Sequence, residues 1–579
     1  MVVRVRVQLA AHLEADFTVR FFAGKQTLID MKKIKTLTLF AAATLLLSSC
    51  SKLGALTADN FTVTPNPLET QAGAVPATIN GQFPAKYMKK KAVVTIVPEL
   101  RYADGTSIKG TPASFQGEGV LGNDQTVSYL QGGNFTMRSR FAYDGCNKAD
   151  LWLNFMARLG SKVQKIPEVK VATGVIATSE LYRLTVGAAN AAIAPDAYQR
   201  IVKKKQEANI RFLIQQANIR KSELKNNSVQ EFVRLLRQIN DDRERLALDN
   251  VEVSAYASPD GGVQLNDRLA GQRQKASEQY VSQELKRIKM DAPVDARYTA
   301  QDWEGFQELV RTSNIQDKDI ILRVLSMYKD PQEREQQIRN ISQAFRELAD
   351  GVLPQLRRSR LTINYETIGR SDEQILDQLK ADPYKLSVEE LLYAAALKQD
   401  PAEAEAVYKT TADIYPGDQR AFNNLAALAY ARGDVDGARN WLTRSKDLPE
   451  TQANLGLLAL RQGDVNTAEQ LIAAATGANG LNEILGNLHL AQGNYAQAEQ
   501  DFGDICSNSA ALAQILNRNY AAAAATLKYV QRPNAMTAYL RALLNSRMGN
   551  KADAATALAE ALRLDPSLAA YADNDLELK

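Results

Sequence analysis

The stretch VEVSAYASPDGGVQLNDRLAGQRQ, residues 251–274, decides how the middle of this 579-residue chain is read. Val251, Val253 and Ala255 alternate with Glu252, Ser254 and Tyr256, the period-two pattern of a strand with one buried face. Pro259, Asp260, Gly261 and Gly262 then break it. Asn266 or Asp267 is placed to cap a helix in which Leu269, Arg273, Ala276 and Tyr280 recur at helical spacing. Arg273 is thereby expected near the first turns of that helix, facing back toward the loop as a candidate anion site.

Working outward, residues 208–216 are expected as the first strand of the same unit and residues 229–239 as its first helix. RLTINYETIG, residues 360–369, alternates as a closing strand should, and a polar, mostly helical insertion at about residues 290–354 delays it. The unit as a whole spans residues 188–370. It resembles the OmpA-like peptidoglycan-associating domain, with the organisation of such domains in Bacteroidota envelope proteins. In that family a strand ends in G-x-T-D, a glycine follows three residues later, and N-x-x-L-S-x-x-R-A opens the next helix. Here Ala255, Tyr256, Ala257 and Ser258 occupy the first motif, Gly261 keeps the glycine, and Asn266, Leu269, Ala270 and Arg273 fall on the last. The resemblance implies that Ser258, Asp260, Asn266 and Arg273 are the candidate peptidoglycan-binding residues, with Arg273 on the carboxylate of diaminopimelate in the stem peptide. The family's aspartate, which holds the ammonium, is Ser258 here. A charge-assisted hydrogen bond contributes about 1.5–3 kcal/mol, so the hydroxyl weakens such binding by about one to two orders of magnitude unless Asp260 supplies the charge. In the competing reading Arg273 pairs with Asp260 to hold the loop and no ligand is bound.

Toward the N-terminus, MKKIKTLTLFAAATLLLSSC, residues 31–50, has a basic start, an apolar run from Leu37 to Leu47 and small residues before Cys50. That is the pattern of a secretory signal, too short to remain as a membrane span. Leu47, Ser48, Ser49 and Cys50 resemble the lipobox of bacterial lipoproteins, which implies cleavage before Cys50, acylation of Cys50, and residues 1–30 as an upstream overcall of the start. Several acyl chains on one cysteine give a stable anchor where a single chain is marginal. Ser51, Lys52, Leu53 and Gly54 bring neither an acidic cluster nor an aspartate, which favours the periplasmic face of the outer membrane.

After a linker at residues 50–58, residues 59–177 carry short runs rich in β-branched and aromatic residues, such as AVVTIVPELRY at 92–102, separated by Gly, Pro and Asp104-Gly105 turns. An Ig-like β-sandwich is expected, without antibody-style Cys-Trp-Cys spacing. Cys146 reads as a small buried apolar residue.

Residues 385–579 repeat. A small residue recurs at Ala404, Ala438, Ala468, Ala498, Ala523 and Ala554, with gaps of 34, 30, 30, 25 and 31, and Gly433, Gly463, Gly493 and Gly549 precede four of them by five residues. These are marks of tetratricopeptide repeats, helix pairs that bury their apolar faces against their neighbours, and they predict an α-solenoid whose groove takes a protein partner. His489 reads as core or groove lining.

The chain has two histidines, His12 and His489, and three separated cysteines, so catalytic triads and zinc sites lack material. There is no P-loop, no cofactor or metal motif, and the net charge of +4 does not point to nucleic acid. The expected fold class is multidomain α+β: a β-sandwich, an OmpA-like α/β sandwich with a helical insertion, and a C-terminal solenoid. The expected role is that of a non-enzymatic, lipid-anchored envelope adaptor that contacts peptidoglycan and recruits proteins. The alternative is a scaffold subunit of a secretion, transport or fimbrial complex that does not bind the wall.

Overall fold

The computed structural model describes residues 52–579 except 260, 316, 317 and 341. Cys50, the signal sequence and Asp260 lie outside the described residues. The chain divides into two compact units, one built from residues up to Tyr182 with His489–Glu499 and Cys506–Lys579, the other from Arg183–Leu488 with Gln500–Ile505.

In the first unit, strands Phe61–Thr64, Ala74–Phe83 and Gly133–Ala142 make a three-stranded sheet. Ala92–Tyr102 and Ala149–Leu159 pair antiparallel at the centre of a seven-stranded one. Alternation puts Val75, Ile79 and Phe141 of the small sheet in one apolar core with Val94, Ile96 and Leu151 of the large one. Phe83, Phe115 and Phe135 fill its centre with ring centroids 4.4–5.1 Å apart. Cys146 is half-buried, its sulfur 3.5 Å from the Lys148 carbonyl. The same unit holds helices Asn508–Leu516, Tyr520–Lys528, Ala535–Arg547 and Lys551–Leu564. Its C-terminal turn is pinned by Glu577, which pairs with Arg547 at 2.7 Å and accepts from the Thr178 hydroxyl.

The second unit contains a four-stranded sheet in the order Ile201–Arg211, Arg358–Ile368, Leu246–Tyr256, Val294–Thr299. The central strand Leu246–Tyr256 is antiparallel to Arg358–Ile368 and parallel to Val294–Thr299. Ile210, Val251, Val253, Leu361 and Ile363 share a core with Phe232 and Leu236 of helix Asn227–Asp241 and with Val281 and Leu285 of helix Val263–Arg287. Full burial of a side chain such as Phe232 stabilises by about 1.5–3 kcal/mol. The other face is polar, with Asn364 donating to Glu252 at 2.7 Å and Arg297 to Ser254 at 3.0 Å.

Four boundaries differ from the sequence reading. The first strand is Ile201–Arg211, not 208–216, because Lys203, Lys204 and Lys205 sit on an exposed edge and mask the alternation visible only at Ala208 and Ile210. The insertion opens with a strand, Val294–Thr299, and its helices run from Trp303 to Leu356 around Phe306, Ile321 and Leu353. Residues 190–197 do not belong to the α/β unit and serve elsewhere, as described below. Helices begin at Asp372, ahead of residue 385, and proceed in pairs through Val388–Ala396 and Pro401–Ile414, Arg420–Ala431 and Val435–Leu442, and Pro449–Gln462 and Val465–Ala473. Gly463 ends its helix in the left-handed conformation at φ +81°, and a Cβ on Gly456 would meet Ile472 at 2.5 Å.

Candidate functional site

The loop that carries the sequence-predicted residues is a closed hydrogen-bonded knot. The helix begins at Val263 with Gly262 as its cap, so neither Asn266 nor Asp267 caps it, and Arg273 lies in its third turn. Asn266 turns back instead, donating to the carbonyls of Ser258 at 2.9 Å and Gly261 at 2.8 Å. Arg273 is 1% exposed. Its guanidinium donates to the carbonyl oxygens of Gln216 at 3.0 Å, Tyr256 at 2.8 Å and Leu213 at 3.4 Å, and packs over the Phe212 ring. Ser258 is buried and its hydroxyl accepts from Arg357 at 3.2 Å. Ser258, Asn266 and Arg273 are thus brought together, with the donors of Asn266 and Arg273 turned onto main-chain carbonyls of the loops around them.

Arg357 caps the C-terminal end of helix Leu353–Leu356, and Arg358 and Arg360 open the closing strand Arg358–Ile368. Arg358 packs over the Tyr256 ring and pairs at 3.4 Å with Asp302, the N-terminal cap of helix Trp303–Thr312. Burial pushes the Asp302 carboxyl above the usual aspartate range, against the Gly305 amide and Arg358, which pull it down.

A second constellation has no counterpart in the sequence reading. Residues 190–197 run extended along the first helices of four successive pairs, Val388–Ala396, Arg420–Ala431, Pro449–Gln462 and Leu481–Ala491, in the sense opposite to the order of those pairs. Asn190 donates through its backbone and side chain to Glu483 at 3.0 and 2.9 Å. Ala192 donates its N–H to Asn454 Oδ1 at 2.7 Å, and its carbonyl accepts from Asn454 Nδ2 at 2.8 Å and Asn423 Nδ2 at 3.0 Å. Ala194 makes the same two-way exchange with Asn424, at 2.8 and 2.9 Å. Asn479 reaches the Ile193 carbonyl at 3.1 Å, and Arg420 the Pro195 carbonyl at 3.3 Å. Glu389 accepts from the Ala197 N–H at 2.6 Å. Upstream, the Tyr430 hydroxyl donates to the Val186 carbonyl at 2.5 Å, and burial raises its pKa well above the usual tyrosine range.

The Asn424 and Asn454 carboxamides each do for the segment what a neighbouring strand does in a sheet, offering one donor and one acceptor to a single residue. Asn423, Asn424 and Asn454 are themselves buried, and a network ties them together through Asn454 to Asn423 at 3.0 Å and Asn423 to Asn424 at 3.1 Å. At the far end Arg420 binds Glu389 at 2.6 Å and Asp418 at 2.7 Å. The Arg420 hydrogen bond holds the Glu389 carboxyl below its usual value, with the Ala197 N–H adding to the effect and burial opposing it. The signal that would have found this site is asparagine inside a helix, a poor helix former, at matching places in FNNLAAL and QANLGLL.

His489 is half-buried, and among the described residues no helix is long and apolar enough to cross a membrane. No protein-family model and no curated protein matches the chain. Similar solved structures include a tetratricopeptide repeat protein from Parabacteroides merdae, at 16% identity over 40% of this chain and 94% of that one, with a TM-score of 0.25. PilF of Pseudomonas aeruginosa is similar at 17% identity over 34% and 95%, with a TM-score of 0.24. Yeast Tom70 is similar at 11% identity over 62% and 83%, with a TM-score of 0.23.

Proposed function

We propose that this protein is a non-enzymatic scaffold of a bacterial cell envelope, held by acyl chains on Cys50 at the inner leaflet of the outer membrane, whose helix pairs hold extended polypeptide. The observation that carries the reading is the ladder from Glu389 through Asn424 and Asn454 to Glu483, a row of side chains on successive helix pairs that engages main-chain N–H and C=O groups. Such a row selects backbone conformation and gives a protein, rather than a small molecule, its binding edge.

The α/β unit enters this proposal as a protein-docking module and not as a wall anchor. The donors expected to meet a diaminopimelate carboxylate are turned onto the carbonyls of Gln216, Tyr256 and Leu213, and the position of the family's aspartate is a serine bonded to Arg357. Two experiments test the reading. Metabolic labelling with a fatty acid is expected to tag the natural chain and not Cys50→Ser. Cross-linking in cells from a photoreactive residue at Asn487 is expected to trap a discrete protein partner, while purified sacculi do not retain the soluble chain. Retention that depends on Arg273, or an unlabelled chain in the cytosol, would overturn it.

A further inference from the structure

Among the described residues, the hydrogen bonds that the helix pairs make to residues 191–197 fall on the main chain, to the N–H groups of Ala192, Ala194 and Ala197 and the carbonyls of Ala192, Ile193, Ala194 and Pro195. The two residues seated in the carboxamide forks are alanines, 1% and 2% exposed, with no room for a longer side chain. The segment therefore supplies no large apolar anchor, and main-chain hydrogen bonds traded against water are individually weak. Its hold depends on being part of the same chain, which keeps it near the forks at a high effective concentration. The forks in turn require an occupant, because Asn424 and Asn454 are buried in helices and lose partners on both carboxamide atoms if the segment leaves. A second observation points to a ligand beyond the resident one. Asn487, four residues after Glu483 and so on the same helix face, is buried, and its carboxamide oxygen has no hydrogen-bond partner among the described residues.

We propose that the Asn424, Asn454 and Glu483 ladder is a binding site for an extended segment of a partner protein, with an amide residue followed at alternate positions by two small residues. Residues 190–194 occupy it as an internal stand-in, which the partner segment displaces. The incoming segment runs opposite to the order of the helix pairs, as the resident one does, and a longer one also reaches the free acceptor of Asn487. This rests on the scaffold reading above and names the chemistry of its partner.

The test uses a fluorescent peptide with the sequence of residues 187–198, titrated into three forms of the purified chain. Ala192→Arg with Ala194→Arg keeps the resident segment out of the forks, and this form is expected to bind the peptide at least about tenfold more tightly than the natural chain. Adding Asn454→Leu to it is expected to abolish that gain. Equal binding to all three forms, or to none, overturns the proposal. Should the arginine form fail to fold, elastase replaces it as the probe on the natural chain. Cleavage within the alanine-rich residues 188–194 is expected to accelerate when the peptide is present at about 1 mM, and not with a scrambled peptide. No acceleration overturns the proposal. Partner cross-linking from Asn487 that persists when the peptide fails would leave the scaffold reading standing, and loss of both would remove it.

Discussion

Asn454 and Ala192 exchange two hydrogen bonds, N–H to carboxamide oxygen at 2.7 Å and carboxamide nitrogen to carbonyl at 2.8 Å, across 262 positions of sequence. One side chain thereby satisfies both polar groups of a buried backbone residue, and Asn424 does the same for Ala194. A peptide that reads as the start of the α/β unit is structurally a ligand of the helix pairs. The helix pairs are organised around it from Glu389 to Glu483.

Asn454→Leu removes one fork while keeping the volume, so the Ala192 N–H is left buried without a partner. The expected cost is about 1–3 kcal/mol, seen as a lower midpoint in urea. The double variant with Asn424→Leu is expected to cost less than the sum of the two, since the first loss already frees the segment. Strict additivity in the two-by-two cycle would mean that the forks act independently.

Arg273 behaves as a structural cross-link between three carbonyls. Arg273→Ala leaves those oxygens buried and is expected to destabilise by about 3 kcal/mol or more. Arg273→Lys recovers part of this, because one ammonium cannot span the same fork. Thermal unfolding of both variants checks the order. A soluble, fully stable Arg273→Ala would instead assign the residue to a ligand.

Acid is expected to loosen the Glu389 end of the ladder. The Glu389 carboxyl is held below the usual 4.5, first by the hydrogen bond from Arg420. A lowered folded-state pKa means that its stabilisation is present above that usual value and is lost as pH falls through the lowered one. Glu389→Gln is expected to be less stable at neutral pH and to show a shallower decline below the usual value. Identical acid limbs in the two stability-against-pH curves would contradict this.

Glu577 closes the other unit. Its carboxylate meets Arg547, whose side chain is 12% exposed, and the carboxylate also accepts from Thr178. Glu577→Ala strands a buried guanidinium, at an expected cost of about 3–5 kcal/mol. Replacing both Arg547 and Glu577 with apolar residues is expected to recover much of it. Calorimetry of the single and double variants makes the comparison.

What the sequence made legible was local and periodic. Val251, Val253 and Ala255 announce their strand because alternation is written into three neighbouring positions, and all three are buried. Gly463 announces a helix end because only a left-handed residue fits there. The strand Val294–Thr299 was missed because it lies at a sheet edge with almost no buried face, so no apolar rhythm marks it. Asn266 read as a cap because capping is a local rule, whereas its real acceptors depend on how the preceding loop folds back. The segment seated on the ladder was illegible for a stronger reason. AANAAIAPDA carries no periodic signal, and its partners lie about two to three hundred residues downstream.

Hydrogen exchange at the Ala192 and Ala194 amides tests the central claim most directly, since no regular secondary structure protects them and each has an asparagine oxygen as its acceptor. The account predicts that in the natural chain both amides are protected far beyond an open peptide, and that Asn424→Leu with Asn454→Leu abolishes this protection while the Val251 and Val253 amides are unchanged. Exchange of Ala192 and Ala194 at open-chain rates in the natural protein would contradict it.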